Sequence, residues 1–508
     1  MSQLPAVSPR DEYNEALLAN VHPEGWKNPL PSGRYNLVVV GAGSAGLISA
    51  AIAAGLGAKV ALIERHYLGG DCLNVGCVPS KGVIRASRLV AEAHRAEEFG
   101  APAFSPSDVD FGAAMRRMRR VRAQISDEDA AGRYRDELGV DIYLGDARFT
   151  GRNTIEVDGT TLHFKKAVIA TGARASAPPI PGLAEAGYLT NETLFNLTER
   201  PRRLGIIGAG PIGCEMAQAF RRLGADVVLV DKAEHILVRE DADAAEIVQQ
   251  RFLEEGIELA LRSGIERVEL RGHEKIIHIT IAKGVSREVA VDEILVGVGR
   301  APSVEGLGLE AVGVEYDARS GVHVNDYLQT SNPRIYAAGD ICMAWKFTHA
   351  ADAAAKVVVQ NALFLRTKKL SSVVMPWCTY TDPEIAHVGL YPHEAEERNL
   401  EIDTYKVPLH EVNRAVADGE DDGFVKVHTK KGSGQILGAT IVAAHAGEMI
   451  SEITLAIVGK LGLGTILNTV HPYPTQAEGI KRAAGAYTRT RATPFLKKLL
   501  SRWMALQR

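Results

Sequence analysis

Two cysteines with four residues between them, Cys72 and Cys77, lie in the run Gly69-Gly70-Asp71-Cys72-Leu73-Asn74-Val75-Gly76-Cys77-Val78-Pro79-Ser80-Lys81. Their types and spacing suit thiol chemistry. A helix is expected from Pro79 through Glu98, with proline near its start, where a missing N–H costs little. Cys77 then lies near the positive end of the helix dipole, which favours thiolate over thiol. Cys72 is near enough in sequence to close a small disulfide loop, and Gly69, Gly70 and Gly76 free the backbone to bend. Such a pair could be structural, redox-active or metal-binding. A structural zinc site wants four ligands, and no second cysteine pair supplies them. The five cysteines (72, 77, 214, 342 and 378) are an odd count, which argues against a disulfide framework. In a chain poor in cysteine and without a secretory signal, a close pair favours redox or metal chemistry, and a cytoplasmic, reducing compartment is expected.

The elements that must position this pair follow from hydrophobic pattern. A length of 508 residues exceeds one core and implies about three domains. Net charge is −4 with signs mixed, which excludes nucleic acid as a natural partner. No apolar run is long enough for a transmembrane helix. Asn36–Val40 reads as a buried strand, followed by Gly41-Ala42-Gly43-Ser44-Ala45-Gly46, an alanine-rich helix, and a second strand from Lys59 that ends in Glu64. This is a dinucleotide-binding βαβ unit: the glycines let a helix N-terminus approach a pyrophosphate, and the carboxylate takes ribose hydroxyls. The unit recurs. Residues 41–64 align without gaps to residues 208–231, matching Gly41, Gly43, Gly46 and Glu64 to Gly208, Gly210, Gly213 and Asp231. Two such units imply two dinucleotides.

The run GGDCLNVGCVPSK resembles the redox-active site of the class I pyridine nucleotide–disulfide oxidoreductases, the family of dihydrolipoamide dehydrogenase, glutathione reductase and mercuric reductase. The resemblance spans about residues 35–488 and implies an enzyme with two Rossmann-like α/β domains, for FAD and NAD(P), and a C-terminal α+β dimerisation domain. The implied division starts with an N-terminal arm (1–34) and the first segment of a discontinuous FAD domain (35–185). An NAD(P) domain (186–305), the second FAD and central segment (306–372), an interface domain (373–488) and a basic amphipathic tail (489–508) follow. The arm, with five prolines, is expected to run over the surface with at most a short helix near Glu15. The first glycine unit belongs with the cysteines and should hold FAD; the second should hold the nicotinamide cofactor. Thr171 and Gly172 resemble the family's segment beside the flavin nucleotide, Gly299 ends an apolar run after Ile294, and Gly339-Asp340 resembles the second FAD motif. By the same resemblance Cys77 faces the flavin, Cys72 meets the substrate, and Lys81 pairs with Glu215 near the reactive flavin edge. Asp231 favours NADH, since a carboxylate repels a 2′-phosphate; Lys232 and Arg239 leave NADPH open.

The run His471-Pro472-Tyr473-Pro474-Thr475-Gln476-Ala477-Glu478 bears on the substrate. Disulfide reductases of this family place a catalytic histidine five residues before the glutamate, supplied across a homodimer whose subunits share the active site. Here Tyr473 stands at that position and Glu478 is kept. A phenol with a pKa near 10 shuttles protons poorly at neutral pH compared with an imidazole near 6.5. Reduction of a thiolate-bound soft metal ion needs no such acid, and mercuric reductase resembles this chain in having tyrosine there. That branch implies Hg(II) as substrate, bound transiently by Cys72 and Cys77, yet its usual C-terminal cysteine pair is missing. The alternatives are a disulfide or quinone reductase resembling dihydrolipoamide dehydrogenase, with His471 as replacement acid, and a non-enzymatic redox sensor. From Gly479 to Arg508 the charges are all basic. Within 494–508, apolar residues recur at helical spacing, which fits either weak contact with an anionic membrane surface or packing on the dimer body.

Overall fold

The computed structural model describes residues 4–105, 109–281 and 284–508. Its contacts divide the chain into two compact units, 1–234 with 255–373, and 235–254 with 374–508.

The first unit holds both βαβ repeats. Strand Arg34–Val40 is buried on both faces over its last four residues, as a continuous valine-rich run demands. It pairs in parallel with Val60–Glu64 on one side and Thr160–Ile169 on the other. Asp141–Leu144 extends the sheet beyond Val60–Glu64, and an antiparallel pair, Thr154–Val157 and Ala147–Gly151, extends it beyond Thr160–Ile169. The chain returns to this sheet far downstream: Ile335–Ala337 pairs in parallel with Ala167–Ile169. The second repeat builds its own parallel sheet in the order Glu258–Ala260, Asp226–Val230, Arg203–Ile207, Glu293–Val296. A three-stranded antiparallel sheet, Gly264–Arg271, Glu274–Ile281 and Val285–Val291, shares an apolar core with it through Ile277, Val291 and Ile294.

The glycine turns show why the first and third glycines of each repeat tolerate no other residue. Gly41 adopts φ +99°, and a Cβ there would lie 2.4 Å from the Ala170 carbonyl oxygen; one on Gly46 would lie 1.8 Å from that of Gly41. The second turn repeats this, with Gly208 at φ +108° and the Gly213 position 1.9 Å from the Gly208 oxygen. In both, the first helical turn is pressed against the strand end, which no side chain would allow.

The second unit is a five-stranded antiparallel sheet in the order Pro376–Thr379, Glu384–Gly389, Ile436–Ala443, Phe424–Lys430, Ile402–Pro408. Helices Ala446–Val458 and Glu478–Arg491 share its core through Ile450, Ile453, Ile480 and Ala484. The helix Ala242–Glu254, expected with the nicotinamide domain, packs in this unit. Polar anchors hold the segment: Lys426 Nζ pairs with Asp241 and Asp243 at 2.7 and 2.6 Å, and Trp377 and Tyr391 donate to Glu240 at 3.0 and 2.7 Å. None of these partners is near in sequence.

The N-terminal arm is more than a surface cover. It forms the helix Glu12–Val21, capped by the Asp11 carboxylate, which accepts from Asn14 N at 3.0 Å. Leu17 and Val21 are fully buried, each contributing about 1.5–3 kcal/mol of hydrophobic stabilisation. Asp11 also pairs with the buried Arg119 at 2.6 Å, and Leu68 N donates to the Val21 carbonyl at 3.1 Å, just ahead of Gly69. Leu17→Ala should therefore cost about 2–4 kcal/mol, as core truncations do, and lower the melting temperature of the protein; a change within error would return the arm to the surface.

Candidate active site

The redox loop is built by two short helical starts. Gly70–Asn74 forms one turn carrying Cys72, and the helix Cys77–His94 begins at Cys77 itself, two residues before the expected start. Pro79 still falls within the first turn, where no N–H has an intrahelical partner. Gly76 precedes the helix with no side-chain cap, so the positive end of the dipole is left to Cys77. Both cysteines are free thiols.

Their environments push the two thiols apart. A hydrogen bond from Cys72 lowers the Cys77 pKa to about 6, against burial, which raises it; the Thr348 hydroxyl and the Lys81 ammonium lower it further, while Glu215 opposes them. Cys72, the partner in that bond and half-buried where Cys77 reaches the surface, is pushed well above the ordinary thiol range, first by the coupling and then by desolvation. Cys77 Sγ lies 3.4 Å from Thr348 Oγ1, and Lys81 Nζ lies 2.9 Å from Glu215 Oε2. Cys77 lines a cavity of about 350 Å³ together with Lys81, Arg85, Arg117 and Val121. One sulfur is thus a thiolate near neutral pH and the other a protonated thiol.

Long-range contacts fix the loop, and sequence reading missed them. Arg300, on a strand paired with Ala173–Ala175, donates to the Asp71 carboxylate and the Ala173 carbonyl and lies 3.3 Å from Asp340 Oδ2. Arg122 Nη1 donates to the Asn74 carbonyl at 2.6 Å, and its Nη2 to Asn14 Oδ1 of the N-terminal helix at 2.7 Å; all three residues are buried. The basic helix Phe111–Ile125 that carries Arg122 showed no motif. Thr348 likewise carries no sequence signal, since it comes into place only through the fold.

The first glycine turn abuts this loop. Gly69 N donates to the Ala42 carbonyl at 2.9 Å, and a Cβ on Gly70 would lie 2.6 Å from Gly43 Cα. A Cβ on Gly339 would lie 3.3 Å from Ala45 Cβ, bringing the Gly339-Asp340 turn to the same helix start. Helix Ser44–Gly55 begins at Gly43 without a side-chain cap, leaving its first N–H groups to an anion. Glu64 accepts from Ala42 N at 2.6 Å and His66 N at 2.8 Å, and burial raises its pKa. Burial also raises Asp340, with Arg300 opposing. Thr171 Oγ1 donates to the Ser303 carbonyl at 2.9 Å, Ser303 N to that of Gly172 at 3.0 Å, and Ser176 N to that of Gly299 at 3.0 Å. An uncapped helix start, a hydroxyl-binding acid and close-approach glycines fit FAD beside Cys77. The second turn repeats the arrangement: Asp231 accepts from Ala209 N at 2.6 Å and Ala233 N at 2.8 Å, and Gly210 starts Pro211–Arg222 uncapped. Lys232 adjoins Asp231 in sequence; Arg239 belongs to the second unit.

The remaining predicted residues lie in the second unit. Tyr473 is 70% exposed, and its hydroxyl accepts from Asn413 Nδ2 at 3.0 Å. The His471 side chain is only 7% exposed, with Nε2 3.0 Å from Glu452 Oε1 and Nδ1 3.1 Å from the Thr469 carbonyl. Glu478 is bound by Arg482 through Nε at 3.1 Å and Nη2 at 3.0 Å. Among the described residues no cluster of three or more His, Cys, Asp or Glu side chains could hold a resident metal ion.

Comparison with known proteins agrees with this geometry. The pyridine nucleotide-disulphide oxidoreductase family matches residues 35–355, and its dimerisation domain matches residues 375–484. The chain belongs to this family of oxidoreductases. It is 37% identical to mercuric reductase of Bacillus cereus over 449 residues, covering 88% of this chain and 71% of that protein. It is 33% identical to dihydrolipoyl dehydrogenase of Chlamydia muridarum over 449 residues, covering 87% of this chain and 95% of that one. Among solved structures, the Cu(II) complex of the HOCl-induced flavoprotein disulfide reductase RclA from Escherichia coli superposes with TM-score 0.80 at 25% identity, over 90% of this chain and 100% of that one. LpdA from Mycobacterium tuberculosis superposes with TM-score 0.80 at 27% identity, over 89% and 99%. The oxidoreductase is thus an enzyme of a family that uses FAD and NAD(P)H, and its dimerisation domain fits a homodimer.

The split between the two sulfurs has a direct readout. In the reduced protein, thiolate absorbance should appear with a midpoint near pH 6, thiolate above and thiol below, against about 8.5 for an unperturbed cysteine. Thr348→Val removes a hydrogen-bond donor and should move the midpoint upward, and Cys77→Ser should abolish the transition. A midpoint in the ordinary thiol range would contradict the assignment.

Proposed function

We propose that the oxidoreductase uses NADH to reduce a soft metal ion, Hg(II) foremost, held as substrate by Cys72 and Cys77. The observation that carries this reading is the acid–base equipment of the run 471–478. The side chain presented there is the Tyr473 phenol, 70% exposed. The His471 ring has both nitrogens against oxygen atoms of its own unit, Glu452 and the Thr469 carbonyl. Glu478, which would orient a histidine in the disulfide-reducing relatives, has its Oε1 paired with Arg482. In the run 471–478 a disulfide substrate would find no free imidazole to protonate its leaving thiolate. A metal ion accepting two electrons makes no such demand.

The thiol pair supplies what that substrate needs. FAD, when bound, carries electrons from the nicotinamide to the thiol pair. The Cys77 thiolate is a ready soft ligand, and Cys72 becomes the second on releasing its proton, an exchange soft metals favour. Lys81 keeps Cys77 anionic, and Glu215 holds Lys81 in place. The mercuric reductase of Bacillus cereus supports the substrate class by similarity, as does the RclA structure, a Cu(II) complex. The dihydrolipoyl dehydrogenase relatives support the competing disulfide reading.

Tyr473 exchanges separate the two. Tyr473→His should raise lipoamide reduction by about a hundredfold, the lower end of what general-acid catalysis contributes. Tyr473→Phe should lower Hg(II) turnover while sparing NADH-driven reduction of the bound flavin. No gain in the first variant together with unchanged Hg(II) turnover in the second would remove Tyr473 from the mechanism and the reading with it.

The cofactor preference rests on Asp231. Its Oδ2 accepts from Ala209 N of the glycine turn and its Oδ1 from Ala233 N, which supports a fixed carboxylate whose negative charge would repel a 2′-phosphate. The wild type should prefer NADH, and Asp231→Ala should weaken NADH use more than NADPH use. Equal losses in kcat/KM for both would mean that this acid does not select the cofactor.

A further inference from the structure

The segment after the dimerisation domain forms a helix with a face that nothing among the described residues covers. Pro494–Leu506 starts with proline in its first turn, and the Thr493 hydroxyl accepts from Leu496 N at 3.2 Å. At 3.6 residues per turn, Phe495, Leu496, Leu499, Leu500, Trp503 and Met504 occupy one half of its circumference. Lys497, Lys498 and Arg502 occupy the other half. No residue of this helix is buried; Phe495 is 77% exposed and Trp503 58%. Exposed apolar side chains are ordinary when single, but a continuous half-cylinder of them marks a contact surface. No acidic residue occurs from Gly479 to Arg508, so every charged side chain of that stretch is basic. The helix also lies beyond residues 375–484, which the family's dimerisation domain accounts for.

We propose that Pro494–Leu506 lies in the plane of an anionic lipid surface, its apolar half in the headgroup–acyl boundary and its cations among the headgroups. A large apolar half, an all-basic polar half and a capped start are what such a helix requires. Charge decides the occupant: a neutral protein groove would match the apolar half but leave the unbroken run of cations without a counterpart. One such helix binds lipid only marginally, and a homodimer carries two, so that the second docks at the high effective concentration set by the first. No helix among the described residues is long and apolar enough to cross a membrane, so the contact is peripheral.

Co-sedimentation of the FAD-loaded full chain with vesicles tests this. Vesicles of phosphatidylcholine with phosphatidylglycerol should pellet the protein at low salt and release it at high salt, and pure phosphatidylcholine should bind far less. The combined variant Lys497→Gln, Lys498→Gln, Arg502→Gln should weaken partition about a hundredfold, each cation being worth about a fivefold change at an anionic surface. Leu499→Asp with Trp503→Asp, and a form ending at Thr493, should not pellet, while NADH-dependent turnover stays unchanged in all forms. Absence of pelleting by the full chain at low salt, or equal pelleting by the form ending at Thr493, would overturn the proposal. So would loss of the dimer on light scattering in that form without any change in vesicle binding, which would make the helix a contact between copies.

Discussion

The electrostatic coupling between the Cys72 and Cys77 sulfurs is the interaction on which the chemistry of this protein depends. It makes two chemically identical side chains unlike: one sulfur holds a proton, and the other holds charge. Burial alone would keep both as thiols. The charge is stabilised by an uncapped helix start, worth about 0.3–1 kcal/mol at an exposed site, and by the Thr348 hydroxyl and Lys81. The helix start and Lys81 belong to one helix, whereas Thr348 arrives from 271 residues away, so the thiolate reports on how well the first unit is assembled. Arg300 and Arg122 tether the loop at Asp71 and Asn74, one residue before Cys72 and two after it.

The two glycine turns solve one problem twice. In each, an acid at the end of the second strand accepts the N–H of the alanine between the first two glycines: Glu64 from Ala42, and Asp231 from Ala209. The acid therefore shapes the turn, which ties the loop geometry to the next strand. The turns differ in one respect that affects binding. Pro211 removes an N–H from the second helix start, while Ser44 at the matching place keeps one, so the first turn offers an anion one more donor. The first is also the turn in contact with the redox loop, through Gly43 and Gly70.

What the sequence made legible was local. The strand–glycine–helix–strand–acid order, its repetition and the cysteine run all lie within short stretches whose periodicity and turn chemistry are fixed by neighbours. What it hid was long-range. Thr348 meets Cys77 across 271 residues, and Asn14 reaches Arg122 across 108. The arm read as surface because prolines and polar residues dominate it, yet Leu17 and Val21 are enough to bury one face of its helix. The helix Ala242–Glu254 follows the nicotinamide motif in sequence but takes its polar partners from Lys406 and Lys426 of the antiparallel sheet. In sequence Tyr473 stood at the catalytic-histidine position and His471 was its possible replacement; burial and hydrogen bonding set His471 apart as tied and Tyr473 as exposed.

The proposed chemistry stands or falls on which acceptor drains the reduced thiol pair. Rapid mixing of anaerobic, NADH-reduced protein with Hg(II), with lipoamide or with glutathione disulfide isolates that step from steady-state turnover. Reoxidation by Hg(II) should be faster by at least about a hundredfold than by either disulfide, the lower end of what a missing general acid costs. Reoxidation by lipoamide as fast as by Hg(II) would contradict it.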